Sequence, residues 1–279
     1  MNTYVINLER SPERREHITG ELRNTRMDYT IVNAVDGREL DLGDSSVVDP
    51  ALFDRSDFPA GMAGCALSHL RAYRRIIADG VEAALVLEDD VSLPADLGPL
   101  VTGVAQQLTG AELALLNYDS KDPCRMSREH SRVLPRSRLL VMPLDVRQPG
   151  SSAAYVITRE ACERMVETVL PVRASPDDWW FFYRQGALDR VRCVVPMPVR
   201  KSPDFGSTIG QYGLGNGIKG RMLAPLVRHN VPAVQQLIAM RRQRIHRSFT
   251  RSELVDHPFV EIPSRLDQES PATGSVTGD

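Results

Sequence analysis

Three consecutive carboxylates, Glu88, Asp89 and Asp90, directly follow the apolar run at residues 83–87. A run of about five apolar residues that ends in charge predicts a buried strand. In open α/β sheets, ligands bind just beyond the carboxyl ends of such strands. Adjacent carboxylates repel one another unless a cation offsets their charge. Mg²⁺ or Mn²⁺ would do so and would carry substrate phosphates; a solvated loop is the alternative interpretation.

A second pair of acids, Asp177 and Asp178, precedes the five consecutive aromatic residues at 179–183. Sugar rings pack their apolar faces on aromatic rings, and a carboxylate beside such a platform can remove a hydroxyl proton. Alternatively, one of the two aspartates caps a helix whose aromatic residues belong to the core. The two interpretations are compatible, because a cap fixes the position of the acid.

The amino-terminal end of the chain has the pattern of a nucleotide-binding unit. Residues 4–8 predict a strand, and Ser11 followed by Pro12 predicts a helix start with Ser11 as the N-cap. The amino terminus of a helix and nearby arginines favour phosphate. Arg10 and Arg14 are therefore candidate phosphate ligands, and a solvated helix face is the alternative.

Strand-like and helix-like segments alternate through most of the chain, which predicts an α/β fold with a mostly parallel sheet flanked by helices. Residues 121–148, rich in arginine and broken by prolines, predict an irregular excursion that could hold specificity determinants. His69 lies on a predicted helix and is interpreted as a packed residue. Further strands are predicted at 28–35, 112–117, 150–157 and 191–196, and helices at 66–77, 93–108 and from Thr158.

Composition limits the classes of function. The 279 residues carry a formal net charge of -2, which gives no general affinity for nucleic acid. No stretch approaches the roughly 18 uninterrupted apolar residues of a membrane span, and the start lacks a signal-peptide pattern. We therefore expect a cytoplasmic protein. Its four cysteines have no paired spacing, so neither a zinc site nor a disulfide framework is predicted and the thiols should be reduced and mostly buried.

The carboxyl-terminal region differs in composition from the rest. Residues 221–252 contain arginines and apolar residues but no Asp or Glu. Such a segment predicts a basic amphipathic helix that could attach to an anionic membrane surface or to a partner. A plain surface helix is the alternative. Residues 268–279, rich in Ser, Thr, Gly and Pro, predict disorder.

Five segments together resemble glycosyltransferase family 25, in the same order and with similar spacing. This family includes bacterial lipooligosaccharide β-1,4-galactosyltransferases and procollagen galactosyltransferases. The resemblance implies a GT-A-type nucleotide-sugar transferase domain over 1–215, Rossmann-like, with a basic helical extension at 216–265 and a disordered tail at 266–279. The five segments are residues 4–15, 64–69, 85–91, 150–159 and 176–178.

The resemblance also implies roles for particular residues. Asp90 and Asp89 would lie nearest the metal, Mn²⁺ or Mg²⁺, with Glu88 as a supporting acid. Asp178 matches the Pro-x-Asp position of the family and would be the catalytic base, whereas Asp177 occupies its variable position. Lys201 departs from relatives, which often carry Gln nearby. We expect nucleotide-sugar contacts from Asn7, Arg10, Arg14, Asp36, Glu88 and Asp89, and acceptor contacts from Trp179 and Trp180.

The function so implied is inverting, metal-dependent transfer of a hexose, with galactose as first choice, from a UDP-sugar to a hydroxyl of a saccharide or glycolipid. Peripheral attachment to the inner face of the membrane would suit a lipid-linked acceptor. One alternative is another UDP-sugar donor acting on a peptide or secondary metabolite. A metal-dependent phosphodiesterase is disfavoured by the six scattered histidines. A non-catalytic surface-binding relative is the remaining alternative, since fold does not establish activity.

Overall fold

The structure, a computed structural model, describes residues 1–52, 60–120, 122–205 and 252–257. The helices of this part are α1 Pro12–Thr25, α2 Ala60–Ala78, α3 Leu97–Ala105, α4 Arg159–Val169 and α5 Trp179–Arg184, with short 3-10 turns at Gly37–Glu39, Pro50–Leu52 and Pro135–Ser137. The strands are β1 Asn2–Asn7, β2 Tyr29–Asn33, β3 Ala83–Glu88, β4 Val91–Ser92, β5 Glu112–Leu115, β6 Cys124–Leu134, β7 Arg138–Pro143, β8 Ala154–Thr158, β9 Arg190–Val195, β10 Arg200–Lys201 and β11 Ser252–Val255.

One nine-stranded sheet, in the order β11-β6-β7-β9-β5-β8-β3-β1-β2, organises the described residues. Its pairings give seven strands a common direction, while β7 and β8 run the opposite way. This confirms the predicted α/β fold with a large, mostly parallel sheet flanked by helices. The antiparallel β8 lies between β3 and β5, so its amino end shares an edge with the carboxyl ends of both neighbours.

Helices cover both faces of the sheet, and this explains why β3 is apolar without alternation. Ala84 and Val86 pack in the cluster that contains α2, α4 and α5. Leu85 and Leu87 pack in the opposite cluster, which contains α1 and α3. A strand buried on both faces has a continuous apolar sequence and ends where it reaches solvent. The charges at 88–90 therefore mark the rim of the sheet.

Two glycines allow α2 to approach the chain that follows β2. A Cβ at Gly64 would lie 2.7 Å from both the amide nitrogen of Gly37 and the carbonyl oxygen of Val35. Ser68 ties the same segments together, since its Oγ accepts from the Val35 amide at 2.8 Å and donates to the Gly64 carbonyl at 2.6 Å. The close approach fixes the position of α2 relative to the ends of β1 and β2.

The prediction of an irregular excursion at 121–148 is wrong, because most of this segment forms the antiparallel hairpin of β6 and β7. The prolines that suggested irregularity lie at its ends: Pro123 precedes β6, Pro135 begins the turn, and Pro143 closes β7. Proline is tolerated at strand ends and turns, where no ladder hydrogen bond is lost. The register of β6 against β7 shifts between Ser127 and Arg132. The arginines of β6 therefore do not alternate regularly between the two faces of the strand.

The part of the carboxyl-terminal region that is described does not form a helix. Ser252–Val255 is strand β11, which pairs in parallel with β6 at the edge of the main sheet. This strand falls within the predicted helical extension at 216–265. Residues 216–251 and 258–265 of that extension, and the tail at 266–279, lie outside the described residues. Among the helices that are described, none has the length and apolar character needed to cross a membrane.

Candidate functional site

The polar residues predicted from the sequence meet at one edge of the sheet. Asn7 ends β1, Glu88 ends β3, and Asp89 and Asp90 form the turn that follows. The chain after β5, at residues 117–119, and the chain before β8, at 150–152, reach the same edge. In α/β sheets this carboxyl edge is where ligands bind. The topology thus places the acids in a shared site rather than in separate loops.

Arg14 is the centre of a buried ion network at this edge. Its Nε lies 3.1 Å from Oδ1 of Asp89, and its Nη2 lies 2.5 Å from Oδ2 of Asp90. The Arg14 side chain is only 7% exposed. Asn7 completes the network by donating from Nδ2 to Oδ2 of Asp89 at 2.8 Å. The structure therefore brings together four of the predicted residues, which come from β1, α1 and the turn after β3.

Burial makes the two aspartates costly to ionise despite this arginine. The pKa of Asp89 is raised to about 6, chiefly because burial disfavours its charged form, with Arg14 and Asn7 opposing the rise. Burial also raises the pKa of Asp90, and the nearby charge of Glu88 adds to the rise. One guanidinium does not balance two buried carboxylates. A divalent cation at this position would supply the missing positive charge.

Asp90 has an oxygen available for such a cation. Its Oδ1 is buried and has no hydrogen-bond partner among the described residues. A buried carboxylate oxygen without a partner is costly unless something binds it. Asp89 differs, since Arg14 and Asn7 each contact one of its oxygens. The donor set fits Mn²⁺ or Mg²⁺ through Asp90 Oδ1, and metal binding by Asp90 and Asp89 stays a prediction.

Glu88 faces a different set of neighbours from the two aspartates. Its Oε1 accepts from Ser152 Oγ at 2.7 Å and lies 3.6 Å from Nε2 of His69. Next to Ser152, the Ser151 hydroxyl donates to Oδ1 of Asn117 at 2.8 Å. Sequence reasoning missed both serines as site residues, because it placed them inside the predicted strand at 150–157, whereas the strand begins at Ala154. Their only signal was that they fall within the family-like segment at 150–159.

Lys201 brings a second cation to the acids. It pairs in β10 with Val91 of β4, and the next residue, Ser202, donates its amide to the Asp90 carbonyl at 2.6 Å. Burial alone would lower the pKa of Lys201, but nearby carboxylates outweigh burial and raise it. The lysine thus remains a cation among several acids. Those carboxylates belong to Glu88, Asp90, Asp119 and Asp177.

Arg10 and Asp36, both predicted to contact the nucleotide sugar, pair with each other instead of with the three acids. Nε of Arg10 lies 2.6 Å from Oδ2 of Asp36. The exposed Arg38 side chain also binds Asp36, with Nη2 at 2.6 Å from the same oxygen. The hydrogen bonds from Arg38 and Arg10 hold the pKa of Asp36 well below its usual range. Their contact with a donor remains a prediction.

Asp177 and Asp178 have different surroundings. Asp178 is exposed and caps α5, where Oδ1 accepts from the Phe181 amide at 3.0 Å. Asp177 is half-buried and accepts from Ser175 Oγ at 2.7 Å. A Cβ at Gly150 would lie 3.8 Å from Asp177 Oδ2, so Asp177 faces the chain before β8. Asp177 therefore lies inside the site. The role of Asp178 as the catalytic base stays a prediction.

The two tryptophans predicted to bind the acceptor also differ. The Trp179 ring is only 1% exposed and packs edge-on against Tyr155 at 5.5 Å, so its faces are not accessible to an acceptor. Trp180 is half-buried and stacks on Tyr183 at 6.0 Å. Trp179 therefore belongs to the core. Only Trp180 of the predicted pair remains at the surface.

The first two thirds of the chain resemble a known protein family. The family profile described as "Glycosyltransferase family 25 (LPS biosynthesis protein)" matches residues 1–180. The human protein named procollagen galactosyltransferase 2 is 30% identical over 171 residues, which cover 58% of this chain and 27% of that protein. The human protein named inactive glycosyltransferase 25 family member 3 is 33% identical over 100 residues, 32% of this chain and 16% of that protein.

The chain thus spans well under a third of the length of these two relatives. A solved structure, titled as a glycosyltransferase involved in the glycosylation of the major capsid of PBCV-1, aligns over 91% of this chain and 80% of that chain. Its sequence identity is 9% and its TM-score is 0.28. A likeness at that level carries no argument about the site.

Replacing Arg14 by methionine should destabilise the protein by about 3 kcal/mol at pH 8, because two buried carboxylates lose their partner. The folded pKa of Asp89 is already about 6, above its ordinary value of about 3.9. The penalty therefore appears as pH rises through the folded pKa, and at pH 5 protonation should reduce the loss. Urea unfolding at both pH values measures the difference.

The matched control for this prediction is Arg75→Met. Arg75 forms an exposed pair with Asp79 at 2.9 Å on the surface of α2, and such exposed pairs contribute little to stability. A loss for Arg14→Met that is no larger than the control, or equal at the two pH values, would contradict the buried network.

Proposed function

The chain belongs to glycosyltransferase family 25, and from this premise we propose that it transfers a hexose, galactose first, from a UDP-sugar to a hydroxyl group with inversion at the anomeric carbon. The acceptor class is a saccharide or a glycolipid. The observation that carries the proposal is the buried Oδ1 of Asp90, which has no hydrogen-bond partner in the described part of the chain and lies beside Arg14 at the carboxyl edge of the sheet. That arrangement suits a cation-bound diphosphate.

Residues of this chain would hold the donor in three ways. Asp90, with Asp89 behind it, would bind Mn²⁺ or Mg²⁺ through carboxylate oxygens. When bound, that ion would act as a Lewis acid that stabilises charge on the departing diphosphate. Arg14 keeps both aspartates in place through the contacts described above. Lys201, the second cation at the acids, would face the negative charge of the donor.

For proton removal from the acceptor we favour Asp177, although the resemblance points to Asp178. The Asp178 carboxylate is engaged as the cap of α5 and is exposed. The Asp177 carboxylate faces Gly150 and lies close enough to Lys201 to raise the pKa of that lysine. A general base must reach the proton that it removes, so position decides between neighbouring carboxylates.

The acceptor would approach beside Trp180. Two guanidinium groups lie near its ring, that of Arg147 at 5.6 Å and that of Arg184 at 5.8 Å from the centroid. Both guanidiniums lie over the ring, and Arg147 already pairs with Asp145 at 2.8 Å, so an acceptor sugar would contact the exposed edge of Trp180. Attachment of residues 221–252 to an anionic membrane, with a peripheral position on the cytoplasmic face, remains part of the proposal for lipid-linked acceptors.

A non-catalytic role is the second candidate, because a relative named as inactive matches this chain at 33% identity. Family membership and fold do not by themselves establish activity. A third possibility within the enzyme class is another UDP-sugar donor with a peptide or secondary metabolite as acceptor. Metal dependence and donor choice in the same assay separate all three.

The test of the function is release of UDP from a panel of UDP-sugars by the purified full chain. We expect the fastest release from UDP-galactose, loss of release after chelation, and recovery with Mn²⁺. Asp90→Asn should lower the rate at least about 100-fold, because several kcal/mol of stabilisation would be lost. The surface variant Asp79→Asn serves as the control.

No release from any UDP-sugar, together with no calorimetric binding of UDP in the presence of Mn²⁺, would favour the non-catalytic candidate. Release that is fastest from another UDP-sugar would overturn the choice of galactose. A rate that survives chelation, or that Asp90→Asn leaves within a few-fold of wild type, would contradict the assigned role of Asp90.

The choice of base is tested by Asp177→Asn and Asp178→Asn as a matched pair. Asn caps helices about as well as Asp, so Asp178→Asn should keep both fold and turnover. Asp177→Asn should lower turnover by about 10²–10⁴ while UDP binding survives. Steady-state kinetics and calorimetry measure the two effects. The reverse pattern would show that Asp178 is the base.

A further inference from the structure

We propose that Cys65, His69 and Glu88 form a second cation site, which takes a thiolate-binding dication such as Zn²⁺ and is separate from the oxygen site of Asp90. The ligand atoms of these three side chains all lie within 4.8 Å of one another. The site joins α2 to the end of β3. It goes beyond the proposed transfer reaction and does not depend on it.

The fold fixes the three side chains in place. Cys65 and His69 are four residues apart on α2, so both project from one face of the helix. The close contact of Gly64 with Gly37 fixes how near this part of α2 lies to the chain that follows β2. Glu88 reaches it from the end of β3, and the hydrogen bond from Ser152 at 2.7 Å orients its carboxylate. Such supporting bonds are typical of metal ligands.

One ring nitrogen of the buried His69 imidazole is not satisfied by hydrogen bonds from the described residues. Its ring is 1% exposed, and Nε2 has no hydrogen-bond partner among the described residues. The nearest carboxylate oxygen, Oε1 of Glu88, lies 3.6 Å away, which is beyond hydrogen-bond distance. Two ligands of one tetrahedral zinc ion are separated by about 3.3 Å, given bonds of about 2.0–2.1 Å. The observed separation is close to that value.

The other ring nitrogen is held in the way that metal-binding histidines need. Nδ1 of His69 lies 2.7 Å from the Tyr155 hydroxyl, which itself donates to the Tyr73 hydroxyl at 3.1 Å. With its proton so used, the Tyr155 oxygen accepts from Nδ1–H. Nε2 then faces the Glu88 carboxylate, and the positive species between them is either a proton, which makes the two side chains an ion pair, or a metal ion.

The ligand set selects the kind of ion. A cysteine thiolate and an imidazole favour Zn²⁺ or Co²⁺, whereas carboxylate oxygens alone favour Mg²⁺ or Mn²⁺. The thiolate of Cys65 and the carboxylate of Glu88 together balance the charge of a dication, so the filled site would be neutral in a mostly buried position. Three protein ligands leave a fourth position open.

The experiment is titration of the reduced, chelator-stripped full chain with Co²⁺ and with Zn²⁺. We expect one equivalent of Co²⁺ to produce a thiolate-to-cobalt charge-transfer band and the intense visible bands of tetrahedral cobalt. Zn²⁺ should bleach these bands, and excess Mn²⁺ should not. Cys65→Ser should abolish the charge-transfer band, and Cys162→Ser, at another buried cysteine, should retain it.

A second pair of variants keeps the test valid if Cys65→Ser fails to fold. Tyr155→Phe removes only the hydroxyl that orients His69 and should weaken Zn²⁺ binding about 10–100-fold. Tyr118→Phe, which removes a buried hydroxyl bonded to the Val194 carbonyl, is its control. No charge-transfer band, a band that survives in Cys65→Ser, or equal loss in Tyr155→Phe and Tyr118→Phe would overturn the site.

Discussion

The contact on which the candidate site depends is the pairing of one arginine with two adjacent, buried aspartates. Arg14 enters from the first turn of α1 and reaches Asp89 and Asp90 beyond the end of β3. Without this guanidinium, three neighbouring carboxylates would share the single cation of Lys201, and burial of unbalanced charge is strongly destabilising. With it and Lys201, the three carboxylates of Glu88, Asp89 and Asp90 still carry one negative charge more than these two cations balance. That surplus makes the edge of the sheet suited to a metal-bound diphosphate.

The consecutive acids divide their contacts between two sides of this edge. Asp89 and Asp90 face Arg14 and α1, whereas Glu88 faces His69 and α2. Alternation along β3 places Glu88 and Asp89 on opposite sides, and the turn at residues 89–90 brings Asp90 to the side of Asp89. An oxygen-only site on one side and a sulfur-containing site on the other would take different ions. Zinc bound at Cys65, His69 and Glu88 would hold α2 against β3, the strand that leads to Asp89 and Asp90.

The sequence predicted the parts of the structure that depend on local pattern. The apolar run before Glu88 and the Ser11–Pro12 helix start both follow from rules of short range, as does the Thr158 cap, whose side chain accepts from Ala161. Sequence patterns did not reveal the β6–β7 hairpin, because prolines at its ends resemble breaks. They also did not predict that Lys201 and Ser152 lie beside the acids, because only the long-range topology of the sheet places them there. The aromatic run suggested that Trp179 could contact an acceptor, but in the structure its ring packs against Tyr155 in the core.

Crystallography with Mn²⁺ and UDP would test most directly whether the Arg14-paired acids hold the diphosphate of a nucleotide sugar. We expect an anomalous Mn²⁺ peak within bonding distance of Asp90 Oδ1 that also contacts the diphosphate. In the same crystals Arg14 should keep its contacts with both aspartates. A Mn²⁺ peak elsewhere, or a diphosphate bound without any ion at Asp90, would contradict the role assigned to these carboxylates.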